Sequence, residues 1–178
     1  MQSGFQKYVL LFLGIFACCY AGVYGFIGIT TPGKWYVSWL DEHMNFVRGY
    51  RYLMFAMSQG ILALFGYATY LENSFTLRIV HANAVKMVWS CMGFGLLSFW
   101  IAFVTANAGK LWFKLRWVCI GIGLITLINV ARIVLILVAV NRKWSFFFAV
   151  NHHDLFNWVM YAVLLILVLW YRRKFLNY

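Results

Sequence analysis

Residues 117–140 read WVCIGIGLITLINVARIVLILVAV. The run exceeds the roughly 20 residues that an α-helix needs to cross a hydrocarbon core, and Arg132 is its only charge. Composition points the same way: of 178 residues, 65% are hydrophobic, 21% aromatic and only 11% charged. Soluble chains run nearer half apolar and about a quarter charged.

Working outward, comparable apolar runs occupy residues 8–29, 91–106 and 153–171. A further one, 52–71, carries Ser58, Gln59, Gly60 and Gly66 and is either a full span or a half-inserted helix. The expected fold is therefore an all-α, polytopic transmembrane helical bundle. It has about five membrane helices, four of them full spans and the second one ambiguous. The turn signal TTPGK at residues 30–34, with the only proline, ends the first helix. The stretch WYVSWLDEHMNFVRG, 35–49, is mixed and aromatic and reads as interfacial. ENSFTLRIVHANAVKMVW, 72–89, alternates weakly and is too polar to cross. The first run follows Lys7 without a small-residue cleavage site, so it reads as an uncleaved span. No internal repeat or low-complexity linker divides the chain, and residues 1–178 read as one integral-membrane domain.

The formal charge of +11 would suggest nucleic acid in a soluble protein. Here the basic residues flank apolar spans, which excludes that reading in favour of membrane orientation. YRRKF at 171–175 and the cluster Lys110, Lys114 and Arg116 read as cytoplasmic anchors. Counting 52–71 as a span leaves nine Lys and Arg inside and five outside; counting it as interfacial leaves seven on each side. The first count fits the positive-inside rule better. Either way Cys91, Arg132 and His153 lie near one membrane face, the outer one.

That convergence carries the functional reading. A charge within a span is costly and marks a site by default. Arg132 lies eight residues before Val140, roughly 12 Å of helix, so its side chain reaches the outer interface. Asn129, three residues earlier, shares its helical face. A snorkelling anchor is the plain alternative for Arg132.

Cys91 opens its span in VWSCMGFGLLSFW, 88–100, near water and near a helix N-terminus. A helix N-terminus and a neighbouring cation both favour the nucleophilic thiolate. Cys18, Cys19 and Cys119 sit within apolar runs and read as packing residues. There is no CxxC, and adjacent Cys18 and Cys19 cannot form an ordinary disulfide. His153 opens the last span within NHHDLFNWVMY, 151–161, with Asn157 one turn on to orient its ring. His153 is the expected partner, with His152 beside it in a supporting place and not ruled out by spacing alone.

A thiol, a guanidinium and an imidazole at one depth make an acyl-transfer site. The thiolate attacks a carbonyl, the imidazole protonates the leaving amine, and the guanidinium stabilises negative charge. This chemistry calls for no cofactor and no metal. The four acidic residues, Asp41, Glu42, Glu72 and Asp154, all lie outside span interiors, so an intramembrane aspartyl dyad is excluded. No HExxH or GxSxG motif is present. Two other readings stand beside this one. One is a haem- or copper-binding membrane protein using His81 with His152 or His153; the other is a non-catalytic membrane subunit. A thiol oxidase would need paired cysteines.

The order SCMGFGLLSF, NVARI and HHDLFN before a final span resembles the exosortase/archaeosortase family. The resemblance covers roughly residues 50–171 and is nearest to small single-domain members. It implies a membrane cysteine protease or transpeptidase, with Cys91 as nucleophile, Arg132 as electrostatic partner and His153 as acid/base. It also implies exported protein substrates bearing a recognition motif, a C-terminal transmembrane helix and a basic end. Cleavage would fall at the outer face of the cytoplasmic membrane, through a thioester resolved by water or by a lipid or glycan amine. Many relatives carry serine where this chain has Met92.

Overall fold

The computed structural model describes residues 2–144 and 152–176, with side chains for 4–144 and 155–175. It has six α-helices among these residues: α1 (Gln2–Thr30), α2 (Ser38–His43), α3 (Phe46–Leu64), α4 (Phe94–Ala106), α5 (Leu111–Asn141) and α6 (His152–Leu176). Four helical segments are long and apolar enough to cross a membrane: Gly4–Thr30, Trp89–Ala106, Leu111–Asn141 and Leu155–Phe175. This is the expected class, a predominantly helical membrane protein.

The ambiguous second segment is displaced from its expected bounds. Its helix, α3, ends at Leu64, where Phe65 and Gly66 turn the chain and Gly66 takes φ +80°. That left-handed conformation suits glycine. Tyr67 to Leu71 therefore leave the helix, and Thr69 onward extends as a strand. At its other end α3 begins at Phe46 and takes in Arg48 and Arg51. With that polar load it is not among the helices apolar enough to span.

The polar stretch after it is a sheet, which an all-α reading did not include. Strands β1 (Thr69–Asn73), β2 (Thr76–Ile79) and β3 (Ala84–Lys86) pair in that order, antiparallel throughout. Successive strand residues point to opposite faces, and with neighbouring Thr76 and Leu77 both buried, β2 is covered on both of its faces. Thr76, Leu77 and Ile79 are buried, while β1 is largely exposed. Asn73 Oδ1 accepts the Phe75 N–H at 2.8 Å in the first turn, and His81 takes φ +59° in the second. Arg78 ties both turns, donating to Glu72 at 3.0 Å and to the Ala82 carbonyl at 3.0 Å.

The chain divides into two compact units. The first comprises Met1–Val47 and Gly93–Leu124. In it α1 packs on α4, with Phe12 edge-on to Phe99 at 5.4 Å. Trp100 is fully buried and donates its indole N–H to the Trp117 carbonyl at 3.0 Å. Gly121 lies against that indole so closely that a Cβ there would overlap it. Close approach of a helix to an aromatic ring is what requires glycine at this position.

The second unit comprises Arg48–Met92 and Ile125–Tyr178. Its interior is built from Met54, Phe55 and Leu62 of α3, Leu77 of β2, Val130 and Leu137 of α5, and Leu167 and Tyr171 of α6, all buried. It holds the whole of the candidate site.

Candidate functional site

Cys91 does not sit in the first turn of a regular α-helix. It belongs to a 3-10 turn, Trp89–Met92, followed by Gly93 at φ +74° and only then by α4. The turn is closed by the Cys91 N–H donating to the Val88 carbonyl at 2.9 Å. A left-handed glycine separates this turn from the helix, so the thiol lies at a bend in the chain.

Arg132 reaches it. The Arg132 Nη2 donates to Cys91 Sγ at 3.1 Å, and the arginine is 8% exposed. A snorkelling anchor would extend into water; this guanidinium is held inside and engages a sulfur. Asn129, 2% exposed, donates its Nδ2 to the Met92 carbonyl at 3.5 Å. The same helical face thus contacts the residue after the cysteine, as the three-residue spacing predicted. Met92 itself is fully buried, so its side chain packs inward while its carbonyl meets Asn129.

The thiol and the guanidinium line one cavity of about 240 Å³. Residues 84–87, from β3 and the residue after it, form one wall. Asn129, Arg132, Ile133, Ile136 and Val140 of α5 form the other. At its far end Asn83 donates its Nδ2 to the Val140 carbonyl at 3.4 Å.

The last helix also meets Arg132: its guanidinium carbon lies 5.6 Å from the centre of the Phe156 ring, in cation–π range. His153 lies in the first turn of α6, three residues before Phe156. The His152 and His153 side chains lie outside the described residues. Asn157 is described and exposed. His81 is exposed at its hairpin turn. Among the described residues no group of three His, Cys, Asp or Glu side chains comes together.

The other three cysteines are free, as Cys91 is, but they are not interior packing residues: Cys18 and Cys119 are exposed and Cys19 is half-buried. Apolar helix faces in a membrane protein can point outward, so an apolar neighbourhood in sequence did not imply burial.

Two features of the site were missed in the sequence. Arg51 is 2% exposed and stacks its guanidinium over Phe75 at 3.8 Å and near Trp89 at 5.1 Å. It thereby joins α3 to the first hairpin turn and to the turn that carries Cys91. The other is Tyr50, whose hydroxyl lies 2.9 Å from Thr126 Oγ1 and links α3 to α5. Burial raises the Tyr50 phenol above its ordinary value, and the bond to Thr126 works against that rise. The polar content of α3 was the available signal for both.

Compared with protein-family models, curated proteins and solved structures, the chain matches none of them.

Proposed function

We propose that this protein is a membrane-embedded cysteine peptidase or transpeptidase of the exosortase/archaeosortase kind. The observation that carries the reading is the Arg132 guanidinium 3.1 Å from the Cys91 sulfur at the wall of a cavity. The guanidinium is placed to hold the negative charge on the sulfur once the thiol has given up its proton. The same group can receive the negative charge that develops on a carbonyl oxygen during attack.

The substrates are exported proteins that end in a sorting tail: a recognition motif, one transmembrane helix and a basic end. The Cys91 thiol gives up its proton to the imidazole of His153, and its sulfur adds to the carbonyl carbon of the scissile amide. Collapse of the adduct breaks the C–N bond. The leaving amine takes the proton back from the imidazole, and the protein substrate remains as a thioester. Water, or an amine of a lipid or glycan, then attacks that thioester and releases the thiol. The reaction takes place at the outer face of the cytoplasmic membrane, which removes the tail from an already exported chain.

The test compares wild type with Cys91→Ala in the native host. Mass spectrometry reads the C-termini of exported proteins whose precursors end in an apolar helix. Uncut precursors accumulating in the variant support the proposal and reveal the motif and any attached acceptor. Identical C-termini, with the variant present in the membrane at wild-type level, would overturn it.

A further inference from the structure

The sheet has one edge that opens on the thiol. In the β2–β3 ladder, the Ile79 N–H donates to the Asn83 carbonyl at 3.1 Å and the Met87 N–H to the Phe75 carbonyl at 2.8 Å. Pairing of Leu77 with Val85 falls midway between them. Antiparallel ladders alternate bonded and non-bonded pairs. Ala84 and Lys86 are therefore the non-bonded positions, and their N–H and C=O groups point away from β2. Among the described residues no hydrogen bond reaches these outward groups. Sheets generally cover such an edge, and here it fronts the cavity that Cys91 and Arg132 line.

Strand and helix run side by side along this cavity. Asn83 is bonded to Val140 at one end, and Cys91 is bonded to Arg132 at the other. The eight residues from Val140 back to Arg132 cover roughly 12 Å of helix, and four residues of strand cover about 13 Å. The gap thus has a strand's length, ends on the nucleophile, and has a row of backbone donors and acceptors along one side. At about 240 Å³ it falls below the roughly 300–1,000 Å³ of sites for drug-sized ligands. It suits an extended backbone with small side chains.

Resting on the function proposed above, we infer that β3 binds the substrate polypeptide as an added strand. The segment just before the scissile bond lies between β3 and α5, hydrogen-bonded to Ala84 and Lys86, and delivers its carbonyl to Cys91. Main-chain bonds supply affinity and alternate side chains supply selectivity, as in other strand-addition sites. With the Val140 end outermost, the substrate enters there by displacing the exposed Asn83–Val140 hydrogen bond, and its transmembrane helix continues past Cys91. The bound segment therefore runs parallel to β3, and its residues on the acyl side contact positions 84–86.

The full-length protein in native membranes tests this, with the precursors that accumulate in Cys91→Ala as the probe. Ala84→Pro removes one outward N–H and leaves the ladder to β2 intact, since proline is tolerated where an edge N–H faces outward. Labelling of Cys91 by iodoacetamide, read by mass spectrometry, reports whether the turn is preserved. The expected result is wild-type labelling with tail cleavage reduced at least tenfold. Wild-type labelling with wild-type cleavage would overturn the inference while leaving Cys91 as nucleophile. In parallel, a photoreactive benzoyl-phenylalanine replacing Lys86 in the Cys91→Ala background should cross-link the precursor on the acyl side of the cleavage site. Cross-links confined to the departing transmembrane helix, or none at all, would also overturn it, and this arm decides alone if Ala84→Pro loses labelling. Should Cys91→Ala cleave normally, the functional reading itself fails and the inference with it.

Discussion

The Arg132 Nη2 stands 3.1 Å from Cys91 Sγ across 41 residues of sequence. A charged side chain in a long apolar helix is thereby matched with the one cysteine that opens a span. The prediction is that Arg132→Met lowers tail processing on the order of 10²-fold, the usual consequence of removing one preorganised charge-stabilising donor. Arg132→Lys should recover only part, since an ammonium does not reproduce the guanidinium fork. Quantitative mass spectrometry of precursor and cut product checks both, and unchanged processing in Arg132→Met would separate the arginine from the chemistry.

Asn129 holds the carbonyl of the residue next to Cys91. Asn129→Ala removes that bond, worth about 1 kcal/mol, and leaves the thiol–guanidinium pair in place. Processing should fall less than in Arg132→Met. Parallel rate measurements in the same membranes give the ranking; equal loss in both variants would mean that Asn129 does more than hold the turn.

Arg51 stacks on Phe75 and Trp89 and so braces the turn that carries Cys91. Arg51→Met keeps the stem and removes the cation, at a cost of about 0.5–2 kcal/mol for a cation–π contact. The expected outcome is a lower apparent Tm in detergent together with reduced processing, and Arg51→Lys should recover part of each. A full-activity Arg51→Met variant would show that the brace is dispensable.

In the other unit, Gly121 abuts the buried Trp100 indole. Gly121→Ala forces the ring or the helix to shift, an overpacking cost of about 1–3 kcal/mol. Thermal unfolding in detergent should show a lower Tm for this variant than for a Gly123→Ala control, where an added Cβ meets open space.

The Glu72–Arg78 pair is a contrast. It is well aligned at 3.0 Å, but both side chains are a third or more exposed. Exposed pairs contribute about 0–1 kcal/mol, so Glu72→Gln should leave processing unchanged and alter stability little. A large loss of processing would point to a further role for this hairpin.

Hydropathy and position along the chain were enough to mark the spans and to single out Arg132, Asn129 and Cys91. Span length, intramembrane charge and helical spacing are local properties, legible wherever the solvent is hydrocarbon. The bounds of α3 were less legible, because Gly66 and the strand after it divided an apolar run that composition alone could not divide. The sheet was hidden for a related reason: its alternation is short and its partner strands stabilise one another only when paired.

What only the tertiary structure decided is which distant groups meet. Arg51, on a helix that looked merely polar, is packed against aromatic rings from two separate turns. The open edge of β3 depends on the phase of its hydrogen bonds with β2. Its neighbour across the cavity is a helix more than forty residues downstream. Such pairings depend on non-local packing and backbone register, and neither is encoded in the periodicity of any one segment.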